Sequence, residues 1–192
     1  MKSGLILCAF LFFSVPPNGK NFAEKLSAAA LTLTKNHVKY DPQYFSIAYP
    51  NGDVPANKGV CTDVVIRAYR KLNIDLQKEV HEDMAKNFKL YPKIWGLKNT
   101  DRNIDHRRVP NLQVFFTRNG QSLDVSENAA DYKTGDLVTW MINGKMPHIG
   151  IVTFVKTADG KRNKIVHNVG AGQVLEDCLF SYPITGHYRY AK

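Results

Sequence analysis

Cysteine is scarce in this chain, three in 192 residues. Cys8 lies in the apolar stretch at the N-terminus, so an exported, processed form would keep only Cys61 and Cys178. That leaves at most one bridge and excludes a fold framed by several disulfides. Long apolar runs are missing too. The run from Gly4 to Phe13 falls far short of the roughly 20 residues that a bilayer-spanning helix needs. There is no internal repeat and no low-complexity tract. Basic residues outnumber acidic ones, 26 to 17, for a formal charge of +9. They are scattered, however, and no basic run is interleaved with aromatics, which argues against a nucleic-acid platform. The charge suits an anionic envelope such as cell wall or a phospholipid surface.

What is present begins with an export pattern. Lys2 precedes the apolar run, and Ser14-Val15-Pro16-Pro17-Asn18-Gly19 breaks it, so residues 1–20 read as a signal peptide. No clean small-x-small cleavage triplet follows, and Cys8 comes too early for lipid attachment. The protein is expected in the periplasm or cell envelope, as a monomer with no integral membrane segment after processing. The remainder, residues 21–192, is long enough for one globular domain with a substantial core; 44% of the whole chain is hydrophobic.

Periodicity predicts a helix from Phe22 to Leu33, with Phe22, Leu26, Ala29, Ala30 and Leu33 on its apolar face. Turn formers fill Tyr40 to Pro55. A second helix follows Gly59-Val60, with Val64, Val65, Ala68, Tyr69 and Leu72 on one stripe and Arg67, Arg70 and Lys71 on the other. Asp75 is the expected cap of a third, which carries Leu76, Val80, Met84 and Phe88 and stops before Pro92. A short helix from Leu112 to Arg118 ends at Asn119-Gly120. From Tyr132 onward the pattern turns to strands: Leu137–Ile142, His148–Val155, Lys164–Val169 and Gly186–Tyr190. Helices first and an antiparallel meander afterwards predict an α+β domain.

Cys61 stands at the first turn of the second helix, facing the positive end of its dipole, which predicts a depressed pKa and a reactive thiolate. His148 opens one strand and His167 closes its partner. In an antiparallel pair these ends adjoin, so the two imidazoles can be neighbours. Strand alternation turns His167 and Asn168 to opposite faces, and His167 is taken to serve the site. Nucleophile, base and orienting group could then meet in one cleft. A Cys61–Cys178 bridge is the competing use of the thiol.

The polar segment from Asn99 to Asn111 holds Asp101, Asp105, His106, Arg107 and Arg108. Its spacing fits no usual zinc or calcium pattern, so no metal is expected. It reads either as a solvated loop or as a cleft wall in which Arg107 or Arg108 clamps a substrate carboxylate. In the structural alternative these arginines pair with Asp101 or Asp105.

The order of cysteine on a helix, histidine opening a strand and a polar residue on the next strand resembles the NlpC-type papain-like cell-wall peptidases. The local motifs are closer still to a bacterial family known only as domain of unknown function number 1287. They are Tyr40-Asp41-Pro42, Gly52-Asp53-Val54-Pro55, Gly59-Val60-Cys61-Thr62-Asp63, Asn103-Ile104-Asp105-His106-Arg107-Arg108, Gly135-Asp136-Leu137-Val138, His148-Ile149-Gly150-Ile151-Val152 and His167-Asn168-Val169-Gly170. The resemblance spans nearly all of the mature chain. It implies a papain-like fold in which Cys61 is nucleophile, His148 base and His167 the orienting residue. Tyr40, Asp63, Asp105, Arg107 and Arg108 are then the candidates for oxyanion stabilisation and substrate binding. Val60-Cys61-Thr62 stands where the NlpC-type pattern has Asp-Cys-Ser, and Tyr40 lies further upstream of the cysteine than in that pattern. The implied activity is cofactor-free hydrolysis of amide bonds in peptidoglycan stem peptides. A transferase or deamidase with the same triad, a silent wall-binding module and, least of all, a nucleic-acid binder are the rival readings.

Overall fold

The computed structural model describes residues 21–192; the expected signal segment, with Cys8, lies outside the described residues. Asn21 starts helix α1 (Phe22–Leu33) through a reciprocal cap. Its side chain accepts the Glu24 N–H at 2.9 Å, and Glu24 reaches back to the Asn21 N–H. Leu26, Ala29, Ala30 and Leu33 are buried, as their spacing predicts. Helices α2 (Cys61–Arg70), α3 (Leu76–Lys86) and α4 (Val109–Asn119) follow. Asp75 caps α3 by accepting the Lys78 N–H at 3.2 Å. Asn87 ends it, bonding back to the Asp83 carbonyl through both backbone and side chain, so Phe88 falls in a separate 3-10 turn. Helix α4 begins earlier than Leu112 because Pro110 fits its first turn, where no N–H is missed.

Strands β1 (Lys39–Tyr40) and β2 (Lys58–Gly59) form a short parallel pair. Strands β3 (Gln121–Leu123), β4 (Leu137–Ile142), β5 (Met146–Lys156), β6 (Asn163–His167), β7 (Val174–Glu176) and β8 (Ile184–Arg189) make a six-stranded antiparallel sheet in the order β3-β8-β4-β5-β6-β7. The meander β4-β5-β6 is the predicted one. β3 and β7 were not foreseen, being too short for alternation to show.

The architecture is mixed α+β. One sheet face carries Leu137, Ile149, Ile151 and Val166 into a cluster with α1, α2 and α4. The other carries Val138, Trp140, Val152 and Ile165 against Tyr132, Cys178 and Leu179. Helix α2 departs from the expected amphipathic pattern, being buried from Cys61 to Tyr69. Its basic side is covered by the preceding loop: Arg67 bonds Asp53 at 3.0 Å and the Lys58 carbonyl at 2.9 Å. That loop turns tightly at Gly52, where a Cβ would come within 1.8 Å of the Ala48 carbonyl oxygen.

Candidate functional site

The site is assembled from the start of α2 outward. Pairing of Tyr40 with Gly59 in the β1–β2 ladder brings Tyr40 beside the cysteine turn. Asp63 closes that turn by accepting the Val60 N–H at 2.7 Å. Its two oxygens also take Nε and Nη2 of Arg107, each at 3.0 Å, and Arg107 reaches the Gln43 carbonyl at 3.1 Å. Both side chains are nearly inaccessible to water. The proposed substrate ligands Asp63 and Arg107 are therefore spent on each other, and they bind the start of α2 to the 3-10 turn Asp105–Arg107. This pair replaces the expected alternatives with Asp101 or Asp105.

Cys61 is buried, 5% exposed. The pairs recorded between β5 and β6 begin at Ile151, leaving the first residues of β5 beyond the end of β6. There the N–H of Ile149 turns to the sulfur, together with those of Thr62 and Cys61 itself. Asn168, just past β6, donates to the Gly59 carbonyl at 3.3 Å and so ties the sheet to the cysteine loop. The expectation that His167 alone serves this side is corrected: Asn168 faces the cysteine loop, and His167 lies on the Trp140 side. His148 lies on that same side, directly opposite Trp140 in the β4–β5 pairing. Its Nε2 lies 2.9 Å from His167 Nδ1, while His167 Nε2 meets Glu176 at 3.0 Å and Cys178 Sγ at 3.5 Å. Trp140 packs on the His148 ring with centroids 5.7 Å apart. Gly150 makes room for the pair, since a Cβ there would press on Ile165 Cγ2 at 2.6 Å and on His167 Cβ at 3.2 Å. No hydrogen bond joins the Cys61 sulfur directly to an imidazole among the described residues. Both Cys61 and Cys178 are free thiols, so no bridge uses them.

Burial sets the protonation. It pushes the Cys61 thiol up to about 12, with the surrounding N–H groups pulling the other way and Asp63 adding to the rise. The expected depression by the helix dipole is overturned. A helix end contributes about 0.3–1 kcal/mol, and one pKa unit alone is about 1.4 kcal/mol. Burial, with His167 beside it, pushes His148 down to about 3, and His167 is lowered as well. Thiol and imidazoles are thus neutral near pH 7.

A cleft of ≈ 210 Å³ opens over the cysteine, lined among others by Tyr40, Cys61, Trp95, Arg107, Arg108 and Pro147. His148 is not among its lining residues. Burial, with Cys61 and Asp63 nearby, raises the Tyr40 hydroxyl pKa, so it remains a donor. Asp105 is fully buried outside the cleft, accepting the Asp101 N–H at 2.7 Å and meeting His81 at 3.1 Å. That removes it from the substrate-binding set. Arg108 does face the cleft, against Trp95. Trp95 escaped the sequence reading because nothing in the spacing of its turn-rich segment ties it to Arg108. A larger hollow, ≈ 800 Å³ between α1 and the turn after α2, is lined by Lys25, Lys71 and Ile74 and by no cysteine or histidine. Among the described residues no group of three His, Cys, Asp or Glu is placed to hold a metal ion, and no helix is long and apolar enough to cross a membrane.

Residues 27–190 match the family described as Domain of unknown function (DUF1287), and the chain belongs to that family. It is 52% identical over 151 residues to "Uncharacterized protein YijF" of Escherichia coli (strain K12), an alignment covering 79% of this chain and 73% of that protein.

Proposed function

Starting from that family membership and the cleft over Cys61, we propose that the protein is an exported cysteine hydrolase with an NlpC-type papain-like arrangement, cleaving amide bonds in peptidoglycan stem peptides. The observation that carries the reading is the chain Cys61–Ile149/His148–His167. The sulfur sits against the N–H that follows His148, and His148 Nε2 is engaged by His167. The ring nitrogen left over, Nδ1, is the one assigned to the thiol proton. His148 then removes the thiol proton as sulfur adds to the amide carbonyl, because both groups rest neutral. The tetrahedral oxyanion accepts a hydrogen bond from Tyr40, with backbone N–H groups at the α2 start. His148 returns the proton to the leaving amine, and water resolves the acyl-enzyme. The +9 charge and the N-terminal export pattern support an anionic wall as the setting.

Burial of the thiol favours a second reading, a wall-binding module that uses the cleft without cleavage. Purified protein incubated with peptidoglycan fragments decides between them. Products whose masses sum to that of the fragment plus one water per cleaved bond, absent with Cys61→Ala, are expected. Intact fragments that bind equally to both proteins would leave the binding module.

A further inference from the structure

Arg107 and Arg108 are consecutive and line the same cleft, but they are differently engaged. Arg107 has both oxygens of Asp63. Arg108 has no carboxylate within ion-pair distance and no hydrogen-bond acceptor for its side chain among the described residues, and its Nη1 is shut off from bulk water. Its guanidinium carbon lies 4.1 Å from the centre of the Trp95 ring. A guanidinium held against an aromatic face keeps its N–H donors in the plane of the fork, pointing away from the ring edge-on to a ligand. A buried charged donor without a partner is costly, and such groups call for an occupant. The nearby carboxylates do not fill that place. Asp105 is committed to the Asp101 N–H and His81, and Asp101 to Tyr44. Trp95 and Arg108 both line the cleft that contains Cys61.

We infer that Arg108, held in place by Trp95, is a subsite for a free carboxylate, so that the molecule entering the Cys61 cleft is a peptide amide carrying a carboxylate close to the bond presented to the sulfur. Trp95 is a positioning residue in this subsite. It fixes the plane of the guanidinium, and the carboxylate makes two parallel N–H···O bonds with it. The inference rests on the cleft being the ligand site, as proposed above, but not on cleavage taking place there.

Binding to the Cys61→Ala protein separates the two. The probes are a synthetic stem tetrapeptide with its carboxylates free and the same peptide with every carboxylate amidated. Titration is followed calorimetrically and by tryptophan fluorescence. The chain has two tryptophans; Trp95 lines the cleft, and Trp140 is 1% exposed within the apolar cluster on the other face of the sheet. The acid is expected to bind about ten- to a hundredfold more tightly than the amide, with a change in Trp95 emission. Adding Arg108→Gln should erase that preference without moving the melting temperature, and Arg108→Lys should restore part of it. Trp95→Leu should reduce the preference while leaving Arg108 in place. Equal binding of acid and amide, or no binding of either up to millimolar concentration, overturns the inference. Failure of the unsubstituted protein to release products would instead count against the hydrolase, and leaves the acid-over-amide difference to be read on its own.

Discussion

The sheet keeps a cysteine on each side, and the two surroundings look alike at first. Cys61 and Cys178 are both free and buried, and burial pushes each thiol up to about 12. Cys178 even touches His167 Nε2 at 3.5 Å, a contact Cys61 does not make. They differ in what surrounds the sulfur. Cys178 sits in a closed apolar cluster with Trp140, Val152 and Leu179. Cys61 sits at a helix start, among backbone N–H donors, under a cleft walled by Tyr40 and Arg108. A thiol next to an imidazole is therefore a poor marker of chemistry by itself. Room for a substrate and donors aimed at developing charge separate the two.

The sharpest way to break this comparison is to delete each sulfur. Cys61→Ala should lower product release from peptidoglycan fragments by roughly 10³-fold or more, as loss of a nucleophile does, while Cys178→Ala keeps most of it. Comparable losses from both would erase the distinction. The next effect is on stability. Arg107→Ala strands the buried Asp63 carboxylate and should cost about 3–5 kcal/mol in chemical denaturation, as removing one partner of a buried pair does. Arg108→Ala, with no internal partner to strand, should cost less than about 1 kcal/mol. Equal losses would mean that the two arginines share one structural role.

A third contrast lies between histidines. Burial pushes both His106, on the helix side, and His148 down to about 3. An unfolded histidine titrates near 6.5, so between those values the unfolded chain binds protons that the folded one refuses. Stability should be full above about pH 6.5 and fall as pH drops toward 3. His106→Asn should flatten that slope without touching product release, and His148→Asn should flatten it and abolish release. An unchanged slope in both would show that neither ring is held neutral. The smallest difference is in alkylation. Both thiols should react slowly with iodoacetamide at pH 7–8 and faster as pH rises, Cys61 leading only through its cleft. A fast reaction with a titration below the free value of about 8.5 would restore the thiolate expected from the helix dipole.

Much of the framework is written locally. The start of α2 at Cys61, the Asp75 cap, the limits of β4 and the adjacency of His148 and His167 follow from caps, periods and the geometry of an antiparallel pair, all of which act within a few residues. The site is harder to read because its decisive terms join distant segments. Asp63 meets Arg107 across 44 positions, and Asn168 reaches Gly59 across 109. Trp95 comes to rest on Arg108 without any spacing that announces it. Alternation separated His167 from Asn168 correctly, but which face met the cysteine depended on where β6 stops and how the loop before α2 returns. The sign of the Cys61 shift was also decided in three dimensions. A helix start is visible in sequence, whereas desolvation depends on everything packed over the sulfur, and here it outweighs the dipole.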